Sequence, residues 1–328
     1  AISAEASQPP LISRVQFPAR RQRNASRWAA GGGAQGPPPL SRMGILQAET
    51  LEGGVGLITF NKPERMNAWS ADLSELFFEA LNAYEDDLSV RVIVVTGEGR
   101  AFCAGADAQG RFDKETEDQK KARLERWEKM KTWRIRRFHD IGRMRLPVIA
   151  CINGGCVGIG LSLALACDLR FAAKDAKIGV IFPQRGLIAE DGMGYYLPHL
   201  VGTGNALMLL LTGDVHKAEE LPPGLLQRTF PRDSLLPETL AFARRLAENS
   251  SPTSVAVIKR QTYLLPHMSL EEAQAINDRI QDASLREANP DHEEGFAAFT
   301  GKRPPRFGPY NAALPFAKLA GELLRSRL

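Results

Sequence analysis

Cysteine is scarce in this 328-residue chain, with four residues, at 103, 151, 156 and 167. All lie in apolar or Gly-rich runs, and none follows the paired spacing of a zinc site or of a secreted disulfide framework. They are expected to be small, buried, reduced thiols. The five His, at 139, 199, 216, 267 and 292, are scattered and form no metal constellation. No apolar run reaches the length needed to span a bilayer. A strong charge excess is also missing. The formal charge is +4, but residues 1–42 hold six Arg against a single Glu, so the rest is slightly acidic. That balance excludes a basic nucleic-acid surface on the body of the protein.

What is present is 44% apolar content, enough for one sizeable α/β domain with appendages. Residues 1–42 combine clustered Arg with a Gly-Gly-Gly-Ala-Gln-Gly-Pro-Pro-Pro run and no hydrophobic period. They are expected to be a disordered extension or a presequence. Val55–Phe60, Val90–Thr96, Pro147–Ile152 and Asp168–Ala172 read as strands, Ser70–Tyr84 as a helix, and a further helix starts near Gly160. Residues 111–145 are dense in both charges and read as one long exposed helical insert, with Trp127, Met130, Trp133, Ile135 and Phe138 packing on the body. After Gly202 the pattern turns helical over Gly204–Leu211, Pro237–Glu248, Ser254–Leu264 and Ser269–Glu287.

Glu190 stands out chemically. It follows the largely apolar stretch Ile178 to Ile188 and precedes Gly192-Met-Gly-Tyr-Tyr-Leu, which reads as a helix start. A carboxylate walled by apolar groups is a candidate general base, because desolvation raises its pKa towards neutrality. The plainer alternative is that Glu190 or Asp191 caps the helix.

Three further segments bear on that choice: Arg100-Ala-Phe-Cys-Ala-Gly-Ala-Asp107, Pro147-Val-Ile-Ala-Cys-Ile-Asn-Gly-Gly-Cys-Val-Gly-Ile-Gly160, and Ala166-Cys-Asp-Leu-Arg170. In this order and spacing they resemble the crotonase (enoyl-CoA hydratase/isomerase) superfamily, from about Ile45 to Phe307. The resemblance implies an α/β spiral of ββα units, with a core over 43–235, a C-terminal helical trimerisation layer over 236–307 and an extension over 308–328. Pro222-Pro223 departs from the family pattern in a peripheral loop. The resemblance also implies an oxyanion hole from the N–H groups of Ala106 and Ile159. Coenzyme A contacts are implied at Arg65, Ala68, Ala104, Gly105, Asp107, Phe299 and Lys302. Coenzyme A is then part of the substrate, and no separate cofactor or metal is expected.

The two glutamates of the family's hydratases fall at Ser162 and Phe182 here, and both are absent. These two residues are expected to line the acyl pocket instead. Water addition needs one group to activate water and another to protonate carbon, so hydration is not expected. Glu190 matches the acid of the peroxisomal-type 3,2-enoyl-CoA isomerases, which implies a one-carboxylate isomerase assembled as a homotrimer or hexamer. Alternatives from the same resemblance are a dienoyl-CoA isomerase, a hydrolase- or dehalogenase-like member, or a non-catalytic acyl-CoA-binding member. The closing Ser326-Arg327-Leu328 resembles a peroxisomal address, while the Arg-rich start favours a mitochondrion or plastid; the peroxisome is expected.

Overall fold

A computed structural model describes residues 44–107 and 116–325. The expectations for residues 1–42 and for the terminal Ser326-Arg327-Leu328 lie outside the described residues. The sequence builds two sheets by a simple repetition. β3 (Val92–Gly97), β5 (Val148–Ile152) and β7 (Leu169–Ala173) join a six-stranded sheet. Each is followed by a three-residue strand, β4 (Ala101–Cys103), β6 (Gly155–Val157) or β8 (Lys177–Gly179), that joins a four-stranded sheet. A helix then closes each unit: α2 (Glu117–Lys131), α3 (Ile159–Ala166) and α4 (Met193–Thr212). This is the ββα repetition expected.

β1 (Leu46–Leu51) pairs antiparallel with β2 (Val55–Phe60), and β2, β3, β5, β7 and β10 (Arg228–Phe230) run parallel in that order. The long strands are continuous apolar runs because both sheet faces are covered; every residue of β3 and β5 is buried. β9 (Val215–Lys217) closes the smaller sheet against β8. α1 (Ala71–Asp86) starts where Ser70 accepts from the Leu73 N–H, and it buries Leu73, Phe77, Phe78, Leu81 and Tyr84. Arg145 holds the other end, donating to the carbonyls of Tyr84, Glu85, Asp87 and Val90.

The charged insert departs from expectation. α2 covers only Glu117–Lys131 and buries none of its residues. It lies against α1 through ion pairs, Arg126 to Asp72 (2.5 Å) and Glu75 (2.8 Å) and Lys129 to Glu75 (2.7 Å). Trp127 stays exposed, whereas Ile135, in the irregular stretch that follows, and Phe138, at the start of the 3-10 turn Phe138–Arg143, reach the core.

Of the four C-terminal helices expected from the pattern, three lie within α4, α5 (Arg232–Asn249) and α6 (Pro252–Leu264), and the fourth matches α7 (Leu270–Arg286) with its two caps. α4 begins eleven residues earlier than Gly204 and kinks at Gly202 (φ 76°). α8 (Pro290–Thr300) and α9 (Pro315–Arg325) complete the layer. α9 gives the segment over 308–328 a structural part: Phe316, Ala317, Ala320 and Leu324 form a second small core with Val257 of α6 and Ile280 and Ala283 of α7. α5 packs into the main core through Leu235, Ala243 and Ala247, so the break in packing falls after α5. Across that break, Lys259 donates to Asp168 (2.7 Å) and the Leu146 carbonyl (2.7 Å), and the Tyr263 hydroxyl donates to Asp168 (2.9 Å).

Candidate active site

Three loops meet at the open end of the smaller sheet. The first spans residues 62–69. Met66 and Asn67 both adopt left-handed backbone (φ 54°), and Asn67 is fully buried. Its carboxamide accepts from the Lys62 N–H (2.8 Å) and donates to the carbonyls of Ala101 (2.7 Å) and Glu98 (3.0 Å), fixing the loop to β4. Segment 104–107 is then stitched alongside. Ala104 N–H donates to Met66, Trp69 N–H to Gly105, and Asp107 N–H to Trp69. In this parallel pairing Ala106 lies between the bonded positions, and its own N–H donates to no carbonyl or side chain among the described residues.

The loop thus gathers Arg65, Ala68, Ala104, Gly105, Ala106 and Asp107. The Asp107 carboxylate takes the Arg65 guanidinium at 2.6 Å and lies 4.0 Å from Lys62. The carboxylate thus holds two cations in place at the edge of the loop. The Cys103 thiol beneath is pushed up to about 11 by burial and stays protonated at neutral pH, so it is no nucleophile.

The second loop is the entry to α3. Gly158 (φ 55°, ψ −121°) leads into Ile159, the first helical residue. The first turn presses against the end of β4, since a Cβ on Gly160 would lie 2.2 Å from the Cys103 carbonyl oxygen. Only glycine permits that approach. The Ile159 N–H is one of the donors a helix start leaves without an internal partner, and it donates to no carbonyl or side chain among the described residues. The helix dipole adds positive potential there. At the other end of α3, buried Arg170 donates to the Cys167 carbonyl (2.7 Å) and more weakly to Ala164 and Leu165. Ser162 has no accessible surface, and its hydroxyl turns back to the Gly158 carbonyl (3.4 Å). It packs behind the loop and does not form a wall open to ligand.

The third loop carries the carboxylates. Ile181 and the buried Phe182 pack on Gly158, where a Cβ would lie 3.6 and 3.7 Å from their nearest atoms. The chain then runs over the surface through a 3-10 turn at Pro183–Arg185 and left-handed Gly186 to Glu190. The apolar wall expected over Ile178 to Ile188 is thus real only as far as Phe182; Ile188 is 80% exposed. Glu190 is half-buried, and its carboxylate accepts no hydrogen bond and pairs with no cation among the described residues. It does not cap α4. The cap position is Gly192 (φ 81°), with no side-chain capping bond. Asp191 is left-handed too (φ 51°). Partial desolvation, and then the adjacent Glu190 charge, raise the Asp191 carboxyl above the ordinary range.

The family model for enoyl-CoA hydratase/isomerase matches residues 50–309. The chain belongs to the enoyl-CoA hydratase/isomerase family. An enoyl-CoA hydratase of Alternaria alternata is 35% identical over 258 residues, 77% of this chain and 83% of the relative. The 1,2-epoxyphenylacetyl-CoA isomerase of Escherichia coli is 31% identical over 264 residues, covering 78% and 96%. Among solved structures, an enoyl-CoA hydratase from Bacillus anthracis superimposes with a TM-score of 0.70 at 28% identity, covering 80% of this chain and 98% of that one. One from Mycobacterium marinum reaches 43% identity with a TM-score of 0.55, covering 67% and 97%. The family therefore includes relatives named for hydration and for isomerisation, and the residues at the three loops must separate the two.

Two of the coenzyme A contacts implied by the family resemblance lie apart. Phe299, at the end of α8, is 85% exposed, and Lys302 follows in left-handed backbone with its N–H on the Phe299 carbonyl (3.2 Å). No hydrogen bond, ion pair or ring contact among the described residues joins either to the loops around Ala106 and Ile159. Asn67 and the bridge at Trp69 were not singled out from sequence. An Asn in a loop, tolerant of left-handed backbone, is the one local signal that could have found the former.

Proposed function

We propose that the protein is an acyl-CoA isomerase that shifts a 3-enoyl-CoA double bond to the 2-enoyl position. The observation that carries this reading is Glu190: a half-buried carboxylate without hydrogen bond or ion pair among the described residues, in a site whose other two acid positions hold Phe182 and Ser162. Glu190 takes a proton from C2, and the electron pair moves into the thioester carbonyl to give a dienolate. The N–H groups of Ala106 and Ile159 receive the oxyanion, each worth about 3 kcal/mol in comparable sites. Glu190 then delivers its proton to C4 as the electrons return, leaving the double bond between C2 and C3. One carboxylate completes the cycle. Hydration would also need a group to activate water, and Phe182 supplies apolar surface in its place.

Arg65 and Lys62, held by Asp107, supply positive charge for the coenzyme A portion, and the substrate is the whole acyl-CoA with no separate cofactor. Assembly as a homotrimer or hexamer belongs to the same proposal. The test is an assay with 3-enoyl-, 2-enoyl- and dienoyl-CoA side by side, following products by mass spectrometry. Isomerisation of the 3-enoyl ester with negligible 3-hydroxyacyl-CoA is expected. Robust hydration of the 2-enoyl ester, lost in Glu190→Gln, would overturn the reading.

A further inference from the structure

The carboxylate loop holds an unfavourable backbone. Asp191 is a non-glycine residue with positive φ, followed at once by left-handed Gly192. Such a conformation persists where the surroundings fix it. Upstream, the exposed residues 183–186 are tied by their own turn bonds, by the Leu187 N–H on the Phe182 carbonyl and by Gln184 Nε2 on the Thr212 carbonyl (3.1 Å), none of which reaches Asp191. Downstream, the first turn of α4 must do the holding. Met193 is buried in the core, and the Tyr196 ring lies under Gly192, where a Cβ would come within 2.9 Å of it.

A third tie reaches further. The Tyr195 hydroxyl is hydrogen-bonded to His267 Nε2 at 2.8 Å, 72 residues along the chain, in the 3-10 turn Leu265–His267 that joins α6 to α7. The Tyr195 ring is itself held by His199, with centroids 4.2 Å apart, and His199 Nδ1 is 2.7 Å from the Tyr195 carbonyl. Among the described residues this is the one side-chain hydrogen bond that connects segment 186–195 to the C-terminal helical layer. We infer that Tyr195 and His267 form a strut that positions Glu190: the C-terminal layer holds the first turn of α4, and through it the strained turn on which the carboxylate rides. Tyr195 is a positioning residue, acting through Glu190 and not on the substrate. The inference rests on the isomerase reading, in which Glu190 carries the proton.

The experiment uses the full chain and a 3-enoyl-CoA ester. Tyr195→Phe and His267→Ala should each lower kcat roughly tenfold, as displacement of a reacting group does, with KM within about twofold and the melting temperature little changed. The Tyr195→Phe/His267→Ala double variant should be no slower than the slower single. His267→Gln, which keeps a hydrogen-bonding side chain, should recover most of the loss. In a Glu190→Gln background Tyr195→Phe should cost nothing more, because the strut acts only through that carboxylate. Wild-type kcat in both single variants, or an equal loss in the Glu190→Gln background, would overturn the strut. Tyr195 and His267 are both exposed; if Tyr195→Phe fails to fold, His267→Ala carries the same reading from the other end of the bond. If Glu190→Gln is itself fully active, the isomerase reading falls and the strut with it; if it is inactive while both single variants are normal, only the strut falls.

Discussion

The two halves of the site are built in opposite ways. The half proposed to hold the oxyanion is backbone: two N–H groups fixed by interlocking loops, one buried Asn and a glycine that admits no side chain. The carboxylate half is a side chain on a largely exposed turn with few anchors. In the proposed reaction the backbone half stabilises the thioester enolate, and it is fixed to the core. Glu190, the proposed proton carrier, sits where sequence can change without touching the core. One fold can therefore serve relatives named hydratase and isomerase.

That contrast can be broken at its rigid side first. Gly160→Ala puts a Cβ 2.2 Å from a backbone oxygen that cannot retreat, so it should cost about 3 kcal/mol or more, seen as lost soluble yield or a collapsed urea midpoint. On the other side, Glu190→Gln should lower turnover by about two orders of magnitude while leaving the urea midpoint in place. A comparable stability loss in both variants would erase the distinction.

Lys259→Met tests the tie beneath both halves. It strands Asp168 without its cation, and equilibrium unfolding should show a loss of about 3 kcal/mol. The smallest effect is expected at α2, which is held by charge. The Lys129 ammonium, and then Arg126, keep the Glu75 carboxyl below its ordinary range. Because the folded value is depressed, this contribution is present above the ordinary carboxylate pKa and is lost as pH falls through the lowered one. Hydrogen exchange in α2 should therefore quicken at acid pH or in molar salt, with the core amides unchanged.

The backbone half was also the more legible in sequence. Ala106 and Ile159 sit in Gly- and Ala-rich motifs whose resemblance implied the role, and the long strands betrayed themselves as continuous apolar runs. The three-residue strands β4, β6, β8, β9 and β10 are too short to show a period, so only the spiral implied by the family pointed to them. The helix at 111–145 was misjudged because charge density was read as helix length, when Thr132 ends it and the aromatic residues beyond turn inward. α9 was passed over as an extension beyond the family's usual end, although Phe316, Ala317, Ala320 and Leu324 already follow helical spacing. The Tyr195–His267 contact spans 72 residues and leaves no local mark.

The C-terminal helices own a small core separate from the larger main one, and Lys259 and Tyr263 of α6 meet the body at Asp168, so the two are expected to unfold as units of unequal size. The smaller can open while the larger stays native. On the strut proposed above, each such opening would release Tyr195 from His267, and the loop that carries Glu190 would then follow the breathing of the helical layer.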